Sequence, residues 1–199
     1  MNLATMTPPP VGDLQRVALK VFLTDDSVLD PRDAIPVFHR WIQTHAVDGL
    51  LIDVADYAHL PTGPTVLLVA HEGHYSLDRT HGRLGLQYTR TRPLAGPLAE
   101  RLQVLWRTLV SAARLLETDA TLPGLVHFAG NEIDCIAHDR LSAPNTAETL
   151  AALQPTLESF LSGISADADW SCTRDPEPAA PFRVTAKTSS PTALGTTAG

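Results

Sequence analysis

The segment from His71 to His81 carries the densest group of side chains that could bind a metal ion. Three of the chain's eight histidines, His71, His74 and His81, lie here, together with the carboxylates of Glu72 and Asp78. Imidazole and carboxylate groups are the usual protein ligands of Zn, Fe and Mn. If the segment turns, His71 and His74 could share a divalent transition metal. His81 or Asp78 would complete a three-ligand site with an open position, and Glu72 would act as a general base on metal-bound water.

The same residues also fit a structural explanation. The segment is not the His-Glu-x-x-His motif, which places two imidazoles on one face of a helix. In the structural alternative, His71 ends a strand, while His74 and His81 are solvated residues of a loop over 71–81. The sequence leaves both interpretations open.

A second polar group follows an apolar run at 50–55. Asp53 lies within the run, and Asp56 and Tyr57 end it. A carboxylate inside an apolar strand is costly unless it faces solvent or has a partner. If the next strand pairs with this one through the turn at 61–64, Asp53 and Asp56 could approach the histidine segment. Such a cluster of carboxylates and imidazoles suits acid–base catalysis or metal binding. The alternative is a solvent-facing Asp53 and a turn at Asp56.

A third group, Asp139 and Arg140, precedes a predicted helix. Thr146 and Glu148 approximate a capping box for that helix. The simplest interpretation of Asp139 and Arg140 is an ion pair or a turn at the strand-to-helix junction, and the alternative is a binding role. No Gly-x-Ser-x-Gly motif supports a serine nucleophile, and neither phosphate-binding glycine motif is present.

The elements that must position these groups follow from hydrophobic periodicity. Alternating or continuous apolar runs predict strands at 17–23, 50–55, 65–70, 84–89, 125–128, 133–137 and 170–173. Stripes at helical spacing predict helices near 33–49, 97–117 and 146–164, the last kinked or split by Pro155. A turn at Gly130-Asn131 predicts a hairpin between the fifth and sixth strands.

The resulting order, β-α-β-β-β-α-β-β-α-β, predicts the α+β class. We expect a mixed, mostly antiparallel sheet of six to eight strands with three helices packed mainly on one face. The single domain is predicted to span 14–174, after a flexible arm at 1–13. A tail rich in Pro, Ser and Thr at 175–199 would add at most one edge strand at 182–187 and then be disordered.

Composition narrows the function classes. The 199 residues carry 15 Lys+Arg against 22 Asp+Glu, a net charge of −7, and the lysines are Lys20 and Lys187 alone. Such a chain lacks the clustered cations that nucleic acid or an anionic membrane surface requires. Cys135 and Cys172 set no disulfide framework, so we expect two buried thiols. With no secretory signal and no long apolar stretch, the expected location is the cytoplasm.

Several short segments resemble a family of bacterial proteins of comparable length. They are Val37–Gln43, Leu50–Tyr57, Gly63-Pro64, His71-Glu72 with Tyr75 and Asp78, and Ala143–Thr146. The likeness runs over residues 17–165. The family has no assigned function, so the resemblance implies no activity. Its members often carry an acidic residue where His74 stands here, which favours His71, Glu72, Tyr75 and Asp78 as site residues over His74.

Two functions from different classes fit these observations. The first is a non-catalytic binding or accessory protein that acts on a protein or small-molecule partner, through a sheet face or as a homodimer. The second is a small metal-dependent enzyme of the hydrolase kind, using the histidine segment with Asp53 or Asp56. A weaker third possibility is a small-molecule sensor.

Overall fold

The computed structural model describes residues 11–189 and Leu194, and its regular elements follow the chain in a simple order. The strands are β1 (Val17–Leu23), β2 (Leu51–Asp56), β3 (Pro64–Ala70), β4 (Gly73–Asp78), β5 (Gly85–Arg90), β6 (Phe128–Ala137), β7 (Trp170–Arg174) and β8 (Phe182–Thr188). The helices are α1 (Ala34–Thr44), α2 (Leu98–Glu117) and α3 (Ala147–Ile164). Short 3-10 turns lie at Val11–Asp13, Pro31–Asp33 and Thr80–Gly82.

All eight strands form one sheet in the order β2-β3-β4-β5-β1-β6-β8-β7, and every neighbouring pair is antiparallel. The α+β class, the strand count and the single domain are confirmed. The parallel pair that a mixed sheet would contain is not formed among the described strands. β5 and β6 occupy both sides of β1, so α1 carries the chain out to the sheet edge at β2.

Two strand predictions are wrong. The segment expected to be a loop contains β4, in which Tyr75 and Leu77 are buried on one face and His74 and Asp78 lie on the other. The expected hairpin at Gly130-Asn131 is one continuous strand, β6. Its extra residues form a bulge, because Val21 pairs with Ile133 while Phe22 pairs with Ala129.

The helices cover one face of the sheet. α1 packs on β2 and β3, α2 packs on β1 and β5, and α3 packs on α2 and β7. Alternate residues of β1, Val17, Leu19 and Val21, join the helix stripes in one apolar core. Pro155 does not split α3: it lies on the exposed side of the helix, as does Ala151, whose carbonyl loses its backbone donor.

The C-terminal prediction needs a correction. The strand expected at the sheet edge, β8, lies between β6 and β7, so the domain extends beyond residue 174. The predicted arm at 1–13 and the disordered end fall mostly outside the described residues. Cys135 and Cys172 are free and half-buried on β6 and β7. No helix in the described part of the chain is long and apolar enough to cross a membrane.

Candidate functional site

The structure does not bring the three predicted metal-binding histidines together. His71 is exposed before β4, His74 lies within the strand, and His81 follows it in the turn at Thr80–Gly82. A strand of this length spans about 17 Å, so His71 and His81 are at opposite ends of it. This corrects the expectation that these histidines share one metal ion. Among residues 11–189 and Leu194, no group of three or more His, Cys, Asp or Glu is placed to hold a metal ion.

Glu72 makes contacts with the connection between α1 and β2. Its Oε2 accepts a hydrogen bond of 3.2 Å from the backbone nitrogen of Leu50. It also occupies the space beside Gly49, whose φ of +103° favours glycine: a Cβ there would lie 2.7 Å from Glu72 Oε2. Glu72 therefore closes the connection between α1 and β2, rather than facing a metal-bound water.

The Asp53 group is spread along the edge strand β2. Asp53 is exposed and lies opposite Val69, which in turn lies opposite His74, so the two predicted residues share a sheet face about 10 Å apart. Asp56 contacts Arg32 at 3.3 Å and accepts a hydrogen bond from the backbone nitrogen of Ala58. The second contact closes a turn at Asp56, as the structural alternative expected. The neighbouring Tyr57 is exposed.

Asp139 and Arg140 hold a loop and are not paired with each other. Asp139 accepts hydrogen bonds from the nitrogen of Leu141 and from the hydroxyl of Ser142, at 3.0 and 2.7 Å. Arg140 donates to the carbonyl of Ala179 in the connection between β7 and β8. The turn interpretation of Asp139 is the one that the geometry supports.

The charged groups that do converge lie on the sheet face opposite the helices, here called the polar face. Lys20 of β1 is fully buried, and its Nζ lies 2.8 Å from Asp78 Oδ1 and donates to the carbonyl of Arg83 at 2.9 Å. Asp78 also accepts from the nitrogen and the hydroxyl of Thr80, each at 3.0 Å. Lys20 and Asp78 thus fix the backbone of residues 80–83 over the polar face.

Burial and charge pairing have opposite effects on the pKa values of Lys20 and Asp78. Burial lowers the pKa of Lys20, and the nearby Asp78 only partly offsets the effect. Burial alone would raise the pKa of Asp78, but Lys20 and Thr80 outweigh it and hold that pKa below its usual value. The pair is therefore an ammonium and a carboxylate, and each group favours the charged form of the other.

A second buried pair lies on the next two strands of the sheet, β6 and β8, and its Asp134 is the register partner of Lys20. Asp134 of β6 is 2% exposed and accepts from Arg183 Nη1 at 2.6 Å and from the hydroxyl of Thr185 at 2.7 Å. Both donors come from β8, next to β6 in the sheet. The Asp134–Arg183 pair forms the floor of a polar surface that no helix of the described chain covers, and the Lys20–Asp78 pair lies beside it.

Above this floor lies a cleft of about 470 Å³, here called the polar-face cleft. Residues 80–83 form one wall, and residues 173–176 form the other. The walls meet where His81 Nε2 lies 3.1 Å from Asp175 Oδ2. His81 has a φ of +58°, an uncommon conformation for a residue with a side chain, so its position is imposed by the surrounding fold.

Cations and carboxylates line the cleft unequally. The cations are Arg83, Arg174, Arg183 and Lys187, and the carboxylates are Glu132, Asp134 and Asp175. Each carboxylate already accepts from protein donors: Glu132, for example, contacts Arg83 at 2.6 Å and Lys187 at 3.3 Å. A guanidinium has five N–H donors, yet Arg83 and Arg183 each use a single nitrogen within the described residues. The guanidinium groups of the cleft therefore have spare hydrogen-bond donors, whereas each of its carboxylates already has at least one protein donor.

One aromatic ring gives the cleft an apolar wall. The guanidinium of Arg83 lies over Phe22, 4.1 Å from the ring centroid, and Lys20 Nζ lies 4.9 Å from the same centroid. The ring contact and the ion pair with Glu132 together hold the Arg83 guanidinium in the lining of the cleft.

A scan against models of known protein families finds no match, and a search of curated proteins finds none. The resemblance to a bacterial family stays a prediction.

The local sequence pattern points to His81 in the cleft and to Asp78 beside it, but to few of the other lining residues. Lys20, Asp134 and Arg183 each occur singly within an apolar strand, at positions that alternate with core residues. That alternation was the available signal: a buried charge in a strand needs a partner on the same face. The sequence does not show which strands become neighbours in the sheet.

Acid should weaken the wild-type protein more steeply than the Asp78→Asn variant. The folded-state pKa of Asp78 lies below its unfolded value, so its carboxylate stabilises the fold above about pH 4, and this contribution is lost as pH falls through the folded-state pKa. Urea unfolding of both proteins at several acidic pH values measures it. We expect the difference in unfolding free energy to shrink as pH falls; a constant difference would contradict the assignment.

Proposed function

We propose that the protein is a non-catalytic binding or accessory protein of the bacterial cytoplasm that takes a small anionic ligand in the polar-face cleft. The observation that carries the proposal is the set of unused guanidinium donors on Arg83 and Arg183 in the cleft. Carboxylate and phosphate oxygens are the acceptors that guanidinium groups fit best, often through two parallel hydrogen bonds. Arg83 and Arg183 offer such groups around one space, and Arg174, whose Nη1 already donates to Asn145 and Asp175, adds a third positive charge.

The size and lining of the cleft support a small molecule as the ligand. Its volume, about 470 Å³, lies in the usual range of ligand pockets. Phe22 and Pro176 add apolar surface beside the cations. A ligand with one or two anionic groups and a compact apolar part fits this combination.

Buried charge also supports a binding role. Buried ion pairs seldom stabilise a protein more than apolar side chains of the same size would. The polar face nevertheless holds Asp134–Arg183 beneath the cleft and Lys20–Asp78 beside it. Placing the walls and the cationic lining of a binding site would explain why they are present.

Calorimetric titration with inorganic phosphate and with citrate tests the proposal. We expect saturable binding of at least one probe by the wild-type protein, weakened about ten-fold or more in Arg83→Gln, because a charge-assisted contact is lost. Glu132 keeps Lys187 as its partner in that variant. The control is Arg92→Gln, which removes the same charge from an exposed position after β5.

The outcomes separate clearly. If Arg83→Gln binds as tightly as Arg92→Gln, or if neither probe binds at millimolar concentration, the anion site is wrong. Self-association as a homodimer stays a prediction. The exposed side chains of Leu50 and Ile52, at and beside the edge strand β2, are the apolar surface that favours it.

A further inference from the structure

A second cleft lies on the opposite, helix-covered face, above β4. α1 covers β2 and β3 and α2 covers β1 and β5, so β4 lies between the strands that they cover. The gap encloses about 380 Å³ and is here called the Tyr75 cleft. One wall is the connection after α1, with Val47 and Asp48. The other is a single stripe of α2, in which Val104, Arg107, Thr108 and Ser111 recur at helical spacing.

The floor is a buried tyrosine whose hydroxyl is unused. Tyr75 is 1% exposed, and its ring is held by Trp41 at 6.4 Å and by Tyr88 at 4.8 Å between ring centroids. No other group in the described part of the chain hydrogen-bonds to Tyr75 Oη. Burial raises the pKa of Tyr75, with smaller contributions from Tyr88, Asp48 and Glu72, so the hydroxyl keeps its proton and can donate it.

Opposite charges face this floor without pairing. Asp48 and Arg107 are both exposed, and neither forms an ion pair with another residue in the ranges that the structure describes. This differs from the polar-face cleft, where every carboxylate is already paired. Val47 and Val104 add apolar side chains to the lining of the same cleft.

We propose that the Tyr75 cleft binds an α-amino acid with an aliphatic side chain. Arg107 pairs with the ligand carboxylate, and Asp48 pairs with its ammonium group. The hydroxyl of Tyr75 donates to the carboxylate from below, and the aliphatic side chain lies against Val47 and Val104. Two unpaired charges of opposite sign match a zwitterion, whereas an ion of one sign would leave one of them without a partner.

Calorimetric titration with L-leucine tests the proposal, with isocaproate and isoamylamine as analogues that lack the amine and the carboxylate. We expect L-leucine to bind at least about ten-fold more tightly than either analogue, because each lacks one charge-assisted contact. Asp48→Asn and Arg107→Gln should each weaken L-leucine binding about ten-fold. Tyr75→Phe should weaken it about ten-fold, because the lost hydrogen bond has a charged acceptor.

Matched controls make the result decisive. Tyr88→Phe removes a hydroxyl from the neighbouring ring, and Arg83→Gln removes a guanidinium from the polar-face cleft; both should bind L-leucine as the wild type does. Asp48 and Arg107 are exposed, so their variants should keep the wild-type melting temperature. The proposal is overturned if L-leucine shows no saturable binding, if isocaproate binds equally well, or if Asp48→Asn and Arg107→Gln bind normally. None of these results bears on the anion site.

Discussion

Replacing Lys20 with methionine should lower the free energy of unfolding by about 3–5 kcal/mol, because Asp78 would remain buried without its counter-charge. Asp78 is only 3% exposed and would keep Thr80 as its remaining hydrogen-bond partner. Methionine has nearly the length and volume of lysine, so little of the effect would come from a cavity. Urea unfolding at neutral pH measures it.

The paired replacement separates charge from packing. Lys20→Met combined with Asp78→Leu removes both charges, and buried pairs exchanged for apolar residues usually lose little stability. We expect this double variant to recover most of the lost free energy. Asp56→Asn, which breaks the exposed contact with Arg32, is the control and should leave the unfolding midpoint unchanged. A small loss in Lys20→Met alone would show that water reaches Asp78.

The same double variant distinguishes stability from function. Lys20 holds the carbonyl of Arg83, and Asp78 holds Thr80, so the pair positions one wall of the polar-face cleft. Apolar side chains cannot make those contacts. If the cleft binds an anion, the double variant should fold stably yet bind phosphate or citrate more weakly than the wild type.

The α+β class was predictable because the signals for its elements are local. The stripe of Leu102, Leu105 and Leu109 identifies α2, and the apolar run at Val17–Leu23 identifies β1. β4 was missed because Gly73, His74 and Ser76 resemble a loop when taken singly. Only Tyr75 and Leu77 enter the core, so the strand has too few apolar residues to be distinctive.

The candidate sites were harder to predict because they depend on strand order. Lys20 and Asp78 are 58 residues apart, and Asp134 and Arg183 are 49 apart. Nothing local specifies that β5 separates β4 from β1, or that β8 enters the sheet beside β6. His71, His74 and His81 are close in sequence, but the extended strand β4 places them far apart in the structure.

Replacing Gly85 with alanine should lower the free energy of unfolding by about 3 kcal/mol, the upper part of the usual range for overpacking. Gly85 of β5 lies opposite both Phe22 and Asp78, where Lys20 crosses β5 to reach β4. A Cβ at this position would overlap the carbonyl oxygen of Val21 and lie 2.8 Å from Lys20 Cε. The lysine stem could shift, at the expense of its contact with Asp78, but the carbonyl belongs to the central strand and cannot.

Gly12 provides the control for this substitution, since a Cβ there would meet no atom within 4 Å, and Gly12→Ala should unfold at the wild-type urea concentration. Gly85→Ala should also reduce binding in the polar-face cleft, because displacing Lys20 releases the carbonyl of Arg83. Equal stability of the two alanine variants would mean that Lys20 does not cross β5 at Gly85. The side chain of Lys20 would then reach Asp78 by a different route, and the explanation of how this pair positions the cleft wall would be wrong.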